Sequence, residues 1–202
     1  MPRLTRSFYA RPARQVAARL LGKKLVRIWE GERISGLIVE TEAYCDGDEP
    51  DLACHGDRAN NGRPTDRTRV MFGPAGYAYV YFTYGIHWMF NIVSGQKGEA
   101  NAVLIRALQP IEGQESMRFF RNRPDHELTN GPAKLTQALA IDKSLNGVDL
   151  CDGYGPVWVE EGVEVAASQL ATGPRIGLGR TPEPWFSIPW RYWIQGNSYV
   201  SR

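Results

Sequence analysis

What the chain has little of narrows the field first. It holds three cysteines, at 45, 54 and 151, an odd number with no CxxC spacing. That argues against a disulfide framework and suits a reducing cytoplasm, the expected location. No apolar run approaches the ~20 residues of a membrane span, so no membrane partner is expected. The N-terminus is basic but lacks the apolar stretch of a secretory signal. Histidine is sparse at three residues. Cys45, Cys54 and His55 match no zinc spacing, and the HxE…PCxxC deaminase pattern is missing, so neither a metal nor another cofactor is expected. GxSxG, the P-loop and the Rossmann fingerprint are absent too. Repeats, low-complexity segments and linkers are lacking. The 202 residues therefore read as one domain, 1–202, long enough to bury a core without staples.

Charge is present but segregated. Apolar content of 43%, charged content of 23% and a net charge of +2 describe an ordinary soluble chain. Residues 1–27 nonetheless carry eight Lys or Arg and no acid, while 40–51 carry six acids and no base. Arg58, Arg63, Arg67 and Arg69 crowd one stretch, and Arg118, Arg121 and Arg123 another. Basic clusters of this kind fit phosphate contacts, although each also reads as a solvated surface.

Hydrophobic periodicity supplies the elements. Pro12 suits a first helical position, Val16, Ala17, Leu20 and Leu21 form one stripe, and Gly22 can close the helix. Strands are expected near 24–30, 33–44, 77–84, 87–94 and 102–108, with another around 190–195. Residues 46–69 read as a long surface loop rich in Gly, Asp, Asn and Arg. One helix should follow Pro110 and run through Met117 and Phe120. A second should start near Asn130 as N-cap, with Pro132 early in it, and bury Leu135, Ala138 and Leu139. Hairpin-like neighbours without a βαβ rhythm indicate an α+β fold on an antiparallel sheet.

Two strands carry an unusual mixture of rings and polar groups. In VETEAY, residues 39–44, alternation puts Ile38, Glu40, Glu42 and Tyr44 on one face, where the apolar neighbours would partly dry a carboxylate. In YVYFTYGIHWMFN, residues 79–91, Tyr77, Tyr79, Tyr81 and Thr83 share a face, and Thr83-Tyr84-Gly85-Ile86 reads as a hairpin tip. Carboxylates beside tyrosines suggest a pocket for a flat ring next to a general base, which is how an enzyme handles a nucleobase taken out of its stack. Spacing alone does not choose between Glu40 and Glu42, and two solvent-facing glutamates remain the plain alternative. Arg106, in the apolar AVLIRALQP, calls for a carboxylate partner; it would either form a structural ion pair or orient a water. The stretch GPRIGLG, 173–179, offers backbone amides to a phosphate or forms an ordinary turn.

The blocks VETEAY, His55, MFGPAGYAYVYFTYGIHWMFNI, VLIRALQP, NGPAKLTQALAI and GPRIGLG resemble, in that order, those of the alkyladenine (methylpurine) DNA glycosylases. The resemblance spans almost the whole chain. It implies a curved antiparallel sheet with flanking helices and a protruding hairpin. It implies that Glu42, rather than Glu40, is the general base, and that Arg106 and the backbone carbonyl of Ile176 help it hold the attacking water. Tyr44, Tyr81 and His55 would line the base pocket, and Asn91 would stand where a guanine 2-amino group clashes. Tyr84, beside Ile86 at the tip, would be the wedge in the duplex, and Arg121, Lys134 and Gly177 would meet phosphates. The implied partner is double-stranded DNA with damaged purines, bound by a monomer.

Three other readings compete with this one. A helix-hairpin-helix glycosylase would place its Gly-rich hairpin ahead of a catalytic Asp, yet after GPRIGLG the only acid is Glu183. A non-catalytic damage-binding protein could dispense with the glutamate and arginine, and both are present. A metal-dependent hydrolase would use the acidic 45–55 loop.

Overall fold

The computed structural model describes residues 1–44, 51–58 and 63–201; Cys45 and positions 46–50 of the expected acidic loop lie outside them. Helices are few and short: α1 Arg6–Tyr9, α2 Ala13–Leu20, α3 His55–Arg58, α4 Gln114–Arg121 and α5 Pro132–Ala138. Among the described residues eight strands dominate: β1 Lys24–Trp29, β2 Glu32–Tyr44, β3 Ala78–Thr83, β4 His87–Val93, β5 Ala102–Glu112, β6 Val157–Glu160, β7 Leu170–Gly173 and β8 Arg191–Ile194. All pairings are antiparallel and run in the order β3-β4-β5-β2-β1-β6, with β7 and β8 branching off β2. The sheet curls into a half-barrel with helices on its flanks, the α+β architecture expected.

β2 organises the sheet. Its first half pairs with β1, its second half with β8, and β5 runs along the other edge of both. The alternation expected along it changes phase midway. Register irregularities fall at Ile38/Glu40 and Glu40/Thr41, and Ile34 and Ile38 join the same buried cluster as Ala43, Val103 and Ile105. Thr41 also turns toward α2, donating its hydroxyl to the carbonyl of Ala17. Ile38 is thus core, and does not flank Glu42 on a shared face. A bulge rotates the strand at this point, as bulges near functional sites do. Leu108 likewise belongs to the main core, while Leu104 lines a cavity on the other side.

The first helix forms as its stripe dictates. Val16, Ala17, Leu20 and Leu21 are buried, and Pro12 is the residue before the first turn. Gly22 ends it at φ +81°, where an added Cβ would come 2.4 Å from the Val163 carbonyl oxygen. β5 runs past Pro110 to Glu112, so α4 begins only after Gly113. α5 has Pro132 at its start, but Gly131 rather than Asn130 is the N-cap. The Asn130 side chain instead accepts from Lys134 Nζ at 2.8 Å. β6 and β7, four residues each, were not expected. Among the described residues, no helix is long and apolar enough to cross a membrane.

Candidate active site

A cavity of about 310 Å³ opens among β2, β3, β4, β5 and the 176–181 segment. Its size is at the small end of ligand pockets, which span about 300–1,000 Å³. Period-2 alternation delivers Tyr79, Tyr81 and Thr83 from β3, Met89 and Asn91 from β4, and Ala102, Leu104 and Arg106 from β5. Tyr44 comes from the end of β2 and His55 from the start of α3, while Ile176, Gly177 and Leu178 close one side. Of the residues expected at a site, Tyr44, His55, Tyr81, Asn91, Tyr84, Arg106, Ile176 and Gly177 line this cavity. Ile86, Arg121 and Lys134 do not.

Glu42 lies immediately behind the lining, with its residue fully buried. Its Oε1 accepts the backbone N–H of Ile176 at 2.7 Å and pairs with Arg106 Nη1 at 3.1 Å. Its Oε2 accepts the Tyr44 hydroxyl at 2.8 Å. Three donors from three segments therefore fix its rotamer. The Ile176 amide thus points at a carboxylate in the protein, not outward as a phosphate cradle from GPRIGLG would require.

Glu40, equally buried, has a different set of partners. It takes Arg106 Nε at 3.1 Å, Arg191 Nε at 2.6 Å, the Ser201 amide at 2.7 Å and the Ser201 hydroxyl at 2.9 Å. Glu40 shares Arg106 with Glu42 but bonds neither of the cavity-lining residues Tyr44 and Ile176. Neither glutamate is the solvent-facing residue of the plain alternative. Arg106 bridges the two, answering both readings of it: it is a structural ion pair to Glu40 and a wall of the cavity beside Glu42. Burial disfavours its charge, but Glu42 and Glu40 outweigh that, and its pKa is raised.

The aromatic walls interlock. His55 meets Tyr81 edge to face, centroids 4.6 Å apart, and its Nδ1 lies 3.2 Å from the Tyr79 hydroxyl. Burial, reinforced by Glu42, holds the Tyr44 phenol well above its ordinary pKa. Burial also pushes Tyr81 up to about 12, against the opposing pull of Arg67. Both rings are neutral near pH 7, which leaves the Tyr44 proton available for Glu42. Asn91 is buried and donates Nδ2 to the Tyr79 carbonyl at 3.1 Å. The cross-strand amide bond and the place in the cavity thus coexist.

Sequence reasoning missed several contributors. Tyr79 was seen only as a face-mate of Tyr81. Met71 and Ala53 come from segments that gave no periodic signal. Arg67, counted only as charge, places its guanidinium 5.0 Å over the Tyr81 ring. Other basic residues are internally paired, such as Arg118 with Asp125, Arg69 with Asp66, and Arg6 with Asp149. Arg121 reaches Gln137 at 2.5 Å, joining α4 to α5.

At the rim, Tyr84 is 80% exposed and Ile86 is also exposed. Tyr84 and Gly85 both have positive φ, +53° and +71°, and the Ile86 amide closes the turn on the Thr83 carbonyl at 3.2 Å. Such turns favour Asn-Gly; a left-handed tyrosine costs about 1–2 kcal/mol.

A buried carboxylate facing a slot of neutral rings suits hydrolysis at a flat heterocycle, and this is the class of the N-glycosyl hydrolases that act on DNA bases. The chain belongs to the methylpurine-DNA glycosylase family, whose profile matches residues 7–198. It is 46% identical over 200 residues, 98% of each chain, to a Carboxydothermus hydrogenoformans protein named "Putative 3-methyladenine DNA glycosylase". Proteins of the same name from Methanocella arvoryzae and Streptomyces avermitilis are 45% and 44% identical. Those matches cover 100% and 98% of this chain, and 97% and 90% of the relatives. The protein is accordingly a DNA glycosylase of base excision repair, a hydrolase of N-glycosyl bonds.

Proposed function

We propose that the protein flips damaged purines out of duplex DNA and hydrolyses the glycosidic bond with a water activated by Glu42, leaving an abasic site. Its substrates on this reading are alkylated adenine and guanine, hypoxanthine and ethenoadenine. The observation that carries the proposal is the Glu42 carboxylate, buried and held by Tyr44, Ile176 and Arg106 at the back of the aromatic cavity. A carboxylate so placed takes a proton from water and offsets positive charge developing on the sugar. Tyr44, Tyr81 and His55 stack the extruded base, and a cationic alkylpurine gains about 0.5–2 kcal/mol per aromatic face. Among the described residues no lysine lines the cavity, so the reading is hydrolysis without strand cleavage. Arg121, Lys134 and Gly177 are assigned to phosphates, and the protein is proposed to act as a monomer.

Single-turnover assays on duplexes carrying one modified base each provide the test. Free base should be released while the strand stays intact until alkali is added, with and without a chelator. Direct nicking would refute the monofunctional mechanism, and loss of activity with chelator would favour a metal-dependent hydrolase. Binding to every lesion without base release would leave a damage-binding protein.

Tyr84 is assigned the wedge. A bulky ring in a costly backbone conformation, exposed at a hairpin tip beside the cavity mouth, is consistent with insertion into the vacated stack. Tyr84→Ser should weaken affinity and flipping, with a smaller loss when the lesion sits in a mismatch, where less pairing must be broken. Equal losses in matched and mismatched duplexes would remove the wedge role.

Asn91 is assigned the filter against a 2-amino group. Asn91→Ser should gain excision of alkylguanine and lose little on hypoxanthine. Losing the Tyr79 carbonyl bond should cost about 1 kcal/mol of stability. Comparing both lesions by single turnover, alongside thermal melting, separates the roles. Parallel loss on both lesions in an early-melting protein would mean that Asn91 only ties β4 to β3.

A further inference from the structure

We infer that Arg175 is a positioning residue for glycosidic hydrolysis, its fork on Asp51 holding in register the segments that aim Glu42. The inference rests on the proposed role of Glu42. Arg175 and Asp51 are completely buried side chains joined across 124 residues, through Nη1–Oδ2 at 2.6 Å and Nη2–Oδ1 at 3.0 Å. The second proton of each terminal nitrogen goes to backbone, while Nε–H has no partner among the described residues. Nη1 donates to the Ala43 carbonyl at 3.0 Å, and Nη2 to the Trp185 carbonyl at 3.2 Å. The guanidinium also lies 4.8 Å over the Tyr44 ring and 5.1 Å over Trp190.

What these contacts join matters more than their number. Ala43 sits between Glu42 and Tyr44 on β2. Ile176, the neighbour of Arg175, gives Glu42 its backbone amide. Asp51 also accepts the Ala53 amide at 2.9 Å, shaping the turn that leads into His55. One guanidinium thus connects the Glu42 strand, the loop that supplies a Glu42 donor, the Tyr44 ring and the approach to His55. Stability alone does not require such a device, since apolar residues of like volume often replace a buried pair at no cost. Four donations from one planar group require the arginine fork, which a lysine ammonium cannot reproduce. Arg175 does not line the cavity, so it acts through Glu42 and Tyr44.

Arg175→Lys keeps the charge opposite Asp51 and loses the fork; Asp51→Asn is the second variant, used if the first fails to fold. Each is melted, and each is assayed at a temperature where it is folded, with enzyme saturating over a damaged duplex. A group displaced by about 1 Å costs on the order of 100-fold, so the excision rate should fall by about that factor while duplex affinity stays within about threefold. An unchanged rate overturns the inference, as does a rate that falls in step with affinity. Wild type and Glu42→Gln run alongside. If wild type excises and Glu42→Gln does not, a normal Arg175→Lys rate counts against Arg175 alone. If Glu42→Gln excises at the wild-type rate, the reading of Glu42 fails, and the inference with it.

Discussion

Glu42→Gln should abolish base release while the variant still folds and still binds damaged duplex. The amide is isosteric, and its oxygen can keep the Ile176 amide and the Arg106 guanidinium that now hold Oε1. The Tyr44 hydroxyl, a donor to Oε2 at 2.8 Å, can rotate to accept from the new amide. The cavity therefore keeps its shape, and because Arg106 and Arg191 both keep Glu40 as their anion, the stability cost should be about 1–2 kcal/mol. What the amide cannot do is take a proton from water or stabilise positive charge on the sugar. General-base catalysis is typically worth about 10²–10⁴-fold, and loss of the anion adds to that. Single-turnover excision of a good substrate, read beside gel-shift affinity for the same duplex, is the measurement. Substantial excision by Glu42→Gln would move the chemistry to another residue.

How much of this was legible in the sequence depended on how local the signal was. The hairpin was readable because Gly85 supplies turn chemistry between two aromatic-rich strands, although Tyr84 is a costly residue there. The cavity-facing rings of β3 followed from period 2, whereas Asn91 on β4 came from the family resemblance and not from alternation. Alternation failed on β2, because a bulge between Ile38 and Thr41 has no sequence signature and rotates Ile38 into the core. β6 and β7 were unreadable for a similar reason. VWVE is buried at every position, so it shows no alternation. LATG is too short and too small-sided to announce a strand. The Arg175–Asp51 pair escaped because the partners lie far apart in the chain, and Asp51 reads there as one acid among six.

Glu40 and Glu42 pose the sharpest case, since spacing made them equivalent and their partners make them different. Glu40→Gln should be chiefly a stability variant. Its carboxylate is fully buried and is the anion for two arginines, Arg106 and Arg191, while it also takes the amide and hydroxyl of Ser201. An amide there offers one acceptor oxygen where two were in use, and turns its NH2 toward groups that are themselves donors. Two guanidinium groups would then share Glu42 and a neutral oxygen in a dry interior. Removing one partner of a buried ionic network costs about 3–5 kcal/mol. For a domain of this size each kcal/mol is worth about 2–4 °C, so the melting temperature should fall by roughly 6–20 °C. Because Glu40 spends its oxygens on Arg106, Arg191 and Ser201 and bonds neither Tyr44 nor Ile176, Glu40→Gln should retain much of its excision rate at a temperature where it is folded. Thermal melting paired with single-turnover excision separates the two glutamates: one variant melts near wild type and is inactive, the other melts early and is active. A Glu40→Gln protein with wild-type melting and no excision would exchange the roles.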